Sequence, residues 1–525
     1  METEAPIGAP PASSPDAPDA PDAGRLGAKI LGVLASGAIV ALSLPALARF
    51  VELALARLRY PFELEWMEGG VATHVRVALS GHALYGPPSL DFTPFIYAPF
   101  YYYVSALVSA LTGPGYLAPR LVSTSAILAC FVLIGWWVRR ETEDAVAGLA
   151  AACAFSATYA VTGFWFDVAR VDSLYLLLIL VGYALVRFGE TPRSAAIAGL
   201  VLALAFFTKQ SGLALAFVAL VSLGFRSVRL GLVAAGVFGA LALGGFVLFD
   251  HASNGWLHFY LFTVPADHEI FWDTWQATLT KYFWTPVVPM ASSAVAVTCG
   301  VGLGRGVPRS RWFFYGSWIM ASASTSLVYL LHTGGYPNVL LPAYAAFAVA
   351  FGIALAAVRP RGAPAETAAF GRGCFAVAVV ALQGVLLSYD AAQARPTATD
   401  VAEGTRAIRE LGRLPKPLWI TASSYYSVLA GQPETVTHTM GLVDVLKAGG
   451  PVATKLHAEL ETSIRAHRFK TIVVDRAFGF LPPDLVYAIK SNYHQTGALF
   501  KNPGTRGLWP KSGAEVRPDE VWQAN

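Results

Sequence analysis

Tyr60–Gly70 reads YPFELEWMEGG and places Glu63, Glu65 and Glu68 within six residues, directly after a long apolar run. A carboxylate held at a membrane surface can take a proton from an acceptor hydroxyl or amine, so the cluster is a candidate general base. The segment that follows, VATHVRVALSG, repeats Val71, Val75 and Leu79 at helical spacing. Acids at a helix start also complement its dipole. On spacing alone, that structural role outweighs catalysis.

Four further stretches carry polar chemistry. FDVARVDSLY holds Asp167, Arg170 and Asp172, which suit an ion pair between helices or a site. Lys209-Gln210 interrupts AGLVLALAFFTKQSGLALAFVALVSLGF. A lysine so deep among apolar residues needs a partner or a function, and a lipid phosphate would serve; the alternative is a side chain that snorkels to the interface. NGWLHFYLFTVPADHEIFWDTWQ contains His258, Asp267, His268 and Glu269, whose spacing matches no metal motif. We therefore expect no cofactor, and no metal is indicated. HTGGYPN, with His332 and Tyr336, reads as a glycine-rich turn.

These residues need a scaffold, and the composition says which kind. The chain has 525 residues, 55% hydrophobic and 14% charged, with mean hydropathy +0.51. Soluble domains carry about 25% charged residues. Apolar runs recur at Ala28–Val51, Leu117–Val138, Ala145–Phe164, Leu174–Phe188, Ala195–Phe207, Gly212–Phe225, Leu230–Phe249, Pro286–Leu303, Trp312–Leu331, Val339–Val358 and Phe370–Leu387. The expected fold class is a polytopic α-helical membrane protein of about 11 spans. With the N-terminus in the cytoplasm, each inner loop holds at least two arginines: Arg139-Arg140, Arg187–Arg193, Arg226–Arg229, Arg305–Arg311 and Arg359–Arg372. That satisfies the positive-inside rule. Counting Phe95–Leu111 as a span would break the agreement, so this aromatic stretch is placed outside as an interfacial helix. The net charge of +4 follows from these loops and implies no nucleic-acid partner. Cys130, Cys153, Cys299 and Cys374 lie in apolar runs and read as buried small hydrophobes without a disulfide framework.

Two segments flank the spans. Residues 1–26, rich in Pro, Ala and Asp with PDA repeated three times, read as a disordered tail. Residues 27–388 form the transmembrane module, with a long outer loop at 60–119. Residues 389–525 read as an outer α/β domain: LWITAS and KTIVVDR as buried strands, Asp400–Leu411, Val452–His467 and Pro483–Asn492 as helices. No glycine-rich phosphate fingerprint accompanies them.

Taken in order, the pieces resemble the GT-C superfamily of membrane glycosyltransferases, in particular bacterial members similar to protein O-mannosyltransferases and aminoarabinose transferases. EWMEGGVATHVRVALSGHALY is similar to the acidic first loop with its following helix and turn. TPFIYAPFYYYVSALVSALTG with APRLVS is similar to the juxtamembrane helix leading into the second span. FDVARVDSLYLLLIL, TKQSG and YPNVLLPAYAAF continue the series. The resemblance implies transfer of a sugar from a polyprenyl-phosphate donor to an acceptor glycolipid, glycan or protein, at the outer face of a bacterial cytoplasmic membrane and with inversion. It implies a first-loop carboxylate as base, Glu68 first and Glu65 second, because Met67 stands where the family commonly has aspartate. Asp172 would be a positioning acid. Lys209, Arg170 and Arg120 would meet the donor phosphate, and Gln210, Tyr97, His332 and Tyr336 would line the donor or acceptor pocket.

Two other classes compete. A carrier or flippase of lipid-linked sugars would show repeats and midplane polar residues on broken helices; the chain has no internal repeat and its acids crowd one face. A non-catalytic membrane protein binding a partner through its outer domain is the third reading.

Overall fold

The computed structural model describes residues 22–300, 303, 306–359, 366–432, 437–475, 478, 480–502 and 504–525. Most of the expected disordered tail, Arg305, and residues 360–365 of the Arg359–Arg372 loop lie outside the described residues.

Among the described residues, thirteen helices of ten or more residues build the membrane part. They are α1 (Asp22–Leu58), α2 (Glu68–Leu79), α3 (Phe100–Thr112), α4 (Leu117–Thr142), α5 (Ala145–Ala157), α6 (Asp172–Phe188), α7 (Pro192–Thr208), α8 (Gly212–Arg226), α9 (Val228–Ala252), α10 (Val288–Thr298), α11 (Arg309–Leu331), α12 (Leu341–Val358) and α13 (Glu366–Leu386). Short helical turns fill the segment between α9 and α10. Among the described residues, five helical segments are long and apolar enough to cross a bilayer: Leu26–Leu58, Leu117–Thr142, Val228–Ala252, Pro337–Val358 and Thr367–Gln393. Among the described residues, each apolar run of the sequence contains a helix, although the helices in Ala145–Phe164 and Pro286–Leu303 stop at Ala157 and Thr298. The aromatic stretch forms α3, whose 13 residues span about 20 Å, short of a bilayer core.

Alanine and glycine set the packing. α12 reads LPAYAAFAVAFGIALAAV and is buried almost all round. In lipid, helices associate through close backbone contact, which small residues permit. Gly135 of α4 faces Gly148 of α5, where an added Cβ would stand 2.5 Å from the Gly135 carbonyl oxygen. Ion pairs tie the helix ends opposite the glutamates: Glu141 meets Arg187 and Arg311, and Asp144 meets Arg359. Cys130 and Cys153 are buried, but Cys299 and Cys374 are exposed. That corrects the expectation for the latter two: an apolar run does not distinguish the side of a helix that faces lipid from the side that faces protein.

The C-terminal region forms a four-stranded sheet with Leu418–Ile420 (β1), Thr471–Val474 (β2), Tyr493–Ala498 (β3) and Glu520–Ala524 (β4), ordered β1-β2-β4-β3. β1 and β2 are parallel, as the intervening helices require, and β4 runs antiparallel to both its neighbours. The expected strands and helices are present. β3 and β4 were not anticipated, because YHQTGA is mostly exposed and lacks a buried strand's pattern. This region does not keep a core to itself. Trp419, Ile472, Leu460 and Leu485 share one apolar cluster with Val71, Val75, Phe95 and Tyr101 of the first loop. A second cluster joins Phe62 and Leu64 to Ile420, Tyr426 and Phe500.

Candidate active site

All three first-loop glutamates are buried, at 1%, 0% and 0% exposure for Glu63, Glu65 and Glu68. Two glycines let the chain fold back onto them. A Cβ on Gly69 would stand 2.2 Å from Glu63 Oε1, and one on Gly70 would stand 2.1 Å from the Phe95 ring. Val71 and Val75 point into the core, while Leu79 is exposed.

The three carboxylates have different environments. Glu68, first residue of α2, accepts from four donors: Arg120 Nε at 3.0 Å, Arg120 Nη2, Leu64 N at 2.7 Å and Ala169 N at 2.6 Å. Burial disfavours its charge, but Arg120 and these hydrogen bonds outweigh it and hold the carboxyl below its usual range. Arg120 also donates to the carbonyls of Tyr60 and Phe62. Arg120 and Glu68 thus cross-tie α4, the first loop and the segment before α6.

Glu65 is less satisfied. Its Oε2 accepts from Arg170 Nη1 at 3.1 Å and Met67 N at 3.2 Å. Its Oε1 is buried without a hydrogen-bond partner. Burial, only partly offset by Arg170, lifts its pKa to about 7. Glu63 accepts from Ser423 Oγ at 2.9 Å, while its main-chain N donates to Tyr426 OH at 3.1 Å. Burial raises the Glu63 carboxyl well above the usual range, with the nearby Glu68 and Glu65 adding to it.

A polar chain leads from Glu65 toward the bundle. Arg170 Nη2 donates to Tyr97 OH at 2.8 Å, and its guanidinium lies over the rings of Tyr97 and Trp165. Trp165 Nε1 donates to Asp172 Oδ2 at 2.9 Å. Asp172 Oδ1 accepts from Lys209 Nζ at 2.7 Å and Asn338 Nδ2 at 3.0 Å. Lys209 lies at the extended break between α7 and α8, with backbone angles φ −152° and ψ 127°. The break stops two short helices at the level of Asp172, the first residue of α6. Lys209 and Asp172 line a cavity of about 10 Å³ with Tyr175, Ser211, Tyr329 and Asn338. That space holds one water, so a larger ligand requires it to open. Glu65 is joined to this cavity through Arg170, Trp165 and Asp172 rather than by lining it.

The other expected residues spread around this axis. Gln210 Nε2 donates to the Ile96 carbonyl at 2.8 Å, leaving its Oε1 buried and unpartnered. Tyr336 packs on Trp165, with ring centroids 4.8 Å apart. His332 lies farther out, beside Tyr329 and His268. His268 Nε2 is 3.8 Å from Asp444 Oδ1, whereas His258 has a separate environment against Asp250 and Thr263. Among the described residues, no three His, Cys, Asp or Glu side chains group as metal ligands.

The sequence suggested an ion pair at Asp167 without its partner, and it gave the C-terminal region no role at the site. Asp167 pairs with Arg57 at 3.1 Å and accepts from Tyr159 OH at 2.6 Å, tying the second outer loop to α1. The larger omission is the C-terminal region, which closes over the glutamates. Lys511 N donates to the Leu64 carbonyl at 2.8 Å, and Ser512 forms a strand-like bridge with Glu65. Gly513 N donates to Tyr336 OH at 3.2 Å. A Cβ on Gly513, which has φ +80°, would meet Trp66 at 2.4 Å and Glu65 Oε1 at 2.9 Å. His438 Nε2 lies 3.2 Å from the Trp66 carbonyl. These partners are hundreds of residues apart, and no local pattern announces them.

No protein-family model matches the chain, and no curated protein does. Solved structures do. The crystal structure of ArnT from Cupriavidus metallidurans bound to undecaprenyl phosphate superposes with TM-score 0.54 and 14% identity, over 92% of this chain and 97% of that one. The apo state of the same protein gives TM-score 0.52 and 14% identity, over 92% and 96%. At that identity the likeness concerns architecture: the chain shares the overall fold of ArnT along 92% of its length.

Proposed function

We propose that the protein is a membrane glycosyltransferase. It would take a sugar from a polyprenyl-phosphate donor and pass it, with inversion, to an acceptor at the membrane face that carries the glutamates. The carrying observation is Glu65: a buried carboxylate with one unpartnered oxygen, held near neutrality and joined through Arg170 to the Lys209–Asp172 pair. The fold likeness to ArnT, which binds undecaprenyl phosphate, supports a lipid-phosphate donor. We take that face as extracytoplasmic, since the arginine-rich helix ends lie opposite, and the membrane as the cytoplasmic membrane of a bacterium.

In this reading Glu65 accepts the acceptor's proton as its oxygen attacks the anomeric carbon. The bond to the lipid phosphate breaks, and the phosphate leaves with the electron pair. A base with a pKa near the working pH suits that step. Lys209 and Arg170 supply positive charge for the departing phosphate. Arg120, saturated by Glu68 and two carbonyls, does not. Asp172 holds Lys209 in place, so phosphate binding would loosen that pair and open the cavity beside it. Glu68 serves as an anchor, which transfers the role of base to the second of the two candidates.

The test uses purified protein in lipid nanodiscs with a panel of labelled polyprenyl-phosphate sugars and candidate acceptors. Wild type should release lipid phosphate, and Glu65→Gln should not. Wild-type turnover by Glu65→Gln would reject the base. No release with any donor, alongside retained binding of lipid-linked sugar, would favour a carrier.

A further inference from the structure

At the end of the bundle away from the glutamates lies a second cavity, of about 260 Å³. The 17 residues of α6 separate the two ends by about 25 Å. The C-terminal ends of α6 and α8 and the N-terminal turn of α11 form it. Arg187, Arg226 and Arg311 line it, with Ser222 and Ser310 between them and Phe314 as an apolar wall.

Three guanidiniums meet here, and Glu141 is the acid that two of them, Arg187 and Arg311, share. Its Oε1 accepts from Arg187 Nη2 at 2.8 Å and also from Arg311. Arg226 donates to the carbonyls of Arg187 and Gly189, which carry no charge. Exposed Glu190 lies close enough to act on Arg226. The Nε atoms of Arg187 and Arg311 are buried and have no hydrogen-bond partner. The cavity therefore combines excess positive charge with unused donors. The first turn of α11 adds main-chain N–H groups and the positive end of a 23-residue helix.

We propose that this cavity binds a phosphate group, from either an anionic lipid headgroup or a soluble phosphoester. Guanidinium forks match phosphate oxygens in geometry as well as charge. The volume suits a headgroup-sized fragment, since pockets for larger organic ligands begin at about 300 Å³. Phe314 and Val186 offer apolar contact to the ester's carbon side. The site involves none of the residues proposed for sugar transfer and stands or falls without them.

Delipidated, purified protein supplies the test. One arm measures binding to phosphatidylcholine nanodiscs with and without phosphatidylglycerol, read as bound lipid by native mass spectrometry. The other titrates glycerol phosphate in detergent, read by calorimetry. Arg226→Gln removes one cation. Ser310→Glu leaves every guanidinium contact in place, sets a carboxylate in the cavity and favours the helix start, so it should fold. Either variant should weaken binding about tenfold or more, the loss expected for one charge-assisted hydrogen bond, while keeping wild-type circular dichroism. Saturable phosphatidylglycerol binding lost in both variants identifies a lipid source. Saturable glycerol phosphate binding without lipid preference identifies a soluble one. Absence of both in folded wild type, or undiminished binding in folded Ser310→Glu, overturns the proposal.

Discussion

Glu65 and Glu68 are three residues apart, equally buried, and each paired with an arginine, yet their environments have opposite consequences. Glu68 accepts from four donors and is held charged. Glu65 has one oxygen without a partner and is held near neutrality. A buried ion pair fixes structure when every lone pair is satisfied, and stores reactivity when one is left bare. The number of donors separates the anchor from the proposed base, and charge alone does not.

The comparison breaks most visibly at the anchor. Glu68→Gln leaves Arg120 buried without its counter-charge, which costs about 3–5 kcal/mol. The expected result is a large loss of folded, detergent-extractable protein, read by size-exclusion chromatography and thermal unfolding. Glu65→Gln should keep the fold and lower turnover by about 10²–10⁴-fold. If instead Glu68→Gln folds and loses only activity, the two roles are exchanged.

The pH dependence sharpens the contrast, because the two groups have opposite signs. Glu65 has a folded pKa near 7, above its unfolded value of about 4.3. The folded state then binds the extra proton, so Glu65's contribution to stability is fully present below that unfolded value and declines as pH rises through 7. Turnover should rise about tenfold per pH unit up to 7 and then level, and Glu65→Gln should abolish that limb. Glu68, with its lowered pKa, contributes stability above its unfolded value and loses it as pH falls through the folded one. Unfolding midpoints of wild type and the two variants across pH 3–8 would distinguish the signs.

Smaller effects belong to the C-terminal cover. Gly513→Val forces a branched side chain at positive φ against Trp66 and Glu65, and should cost about 1–3 kcal/mol and reduce turnover. Ser423→Ala removes the hydrogen bond to Glu63 and should cost about 1 kcal/mol, read in the thermal midpoint with activity nearly unchanged. Equal loss of activity in both would assign the whole C-terminal contact, rather than Gly513, to the working of the site.

Much of the architecture is legible in the chain because a bilayer demands it. Helices such as α4, α6 and α12 fall where the apolar runs are, since a lipid-exposed backbone must satisfy its own hydrogen bonds. Arginines punctuate their ends for electrostatic reasons, and the parallel pair β1 and β2 shows as two β-branched runs around a helix. β3 does not, because its side chains are exposed and carry no burial signal. The charged side chains of the candidate site were legible too: Glu65, Arg170, Asp172 and Lys209 stand out as charges in an apolar sequence. Their partners were not. Whether Arg120 meets Glu68 or a ligand depends on how α4 packs beside the first loop, and the cover formed by Lys511–Gly513 depends on contacts across some 450 residues. Hydrophobic periodicity is local and is written in the chain. The count of donors around a buried carboxylate is a property of packing, so only the tertiary structure decided which glutamate is anchored and which has an oxygen to spare.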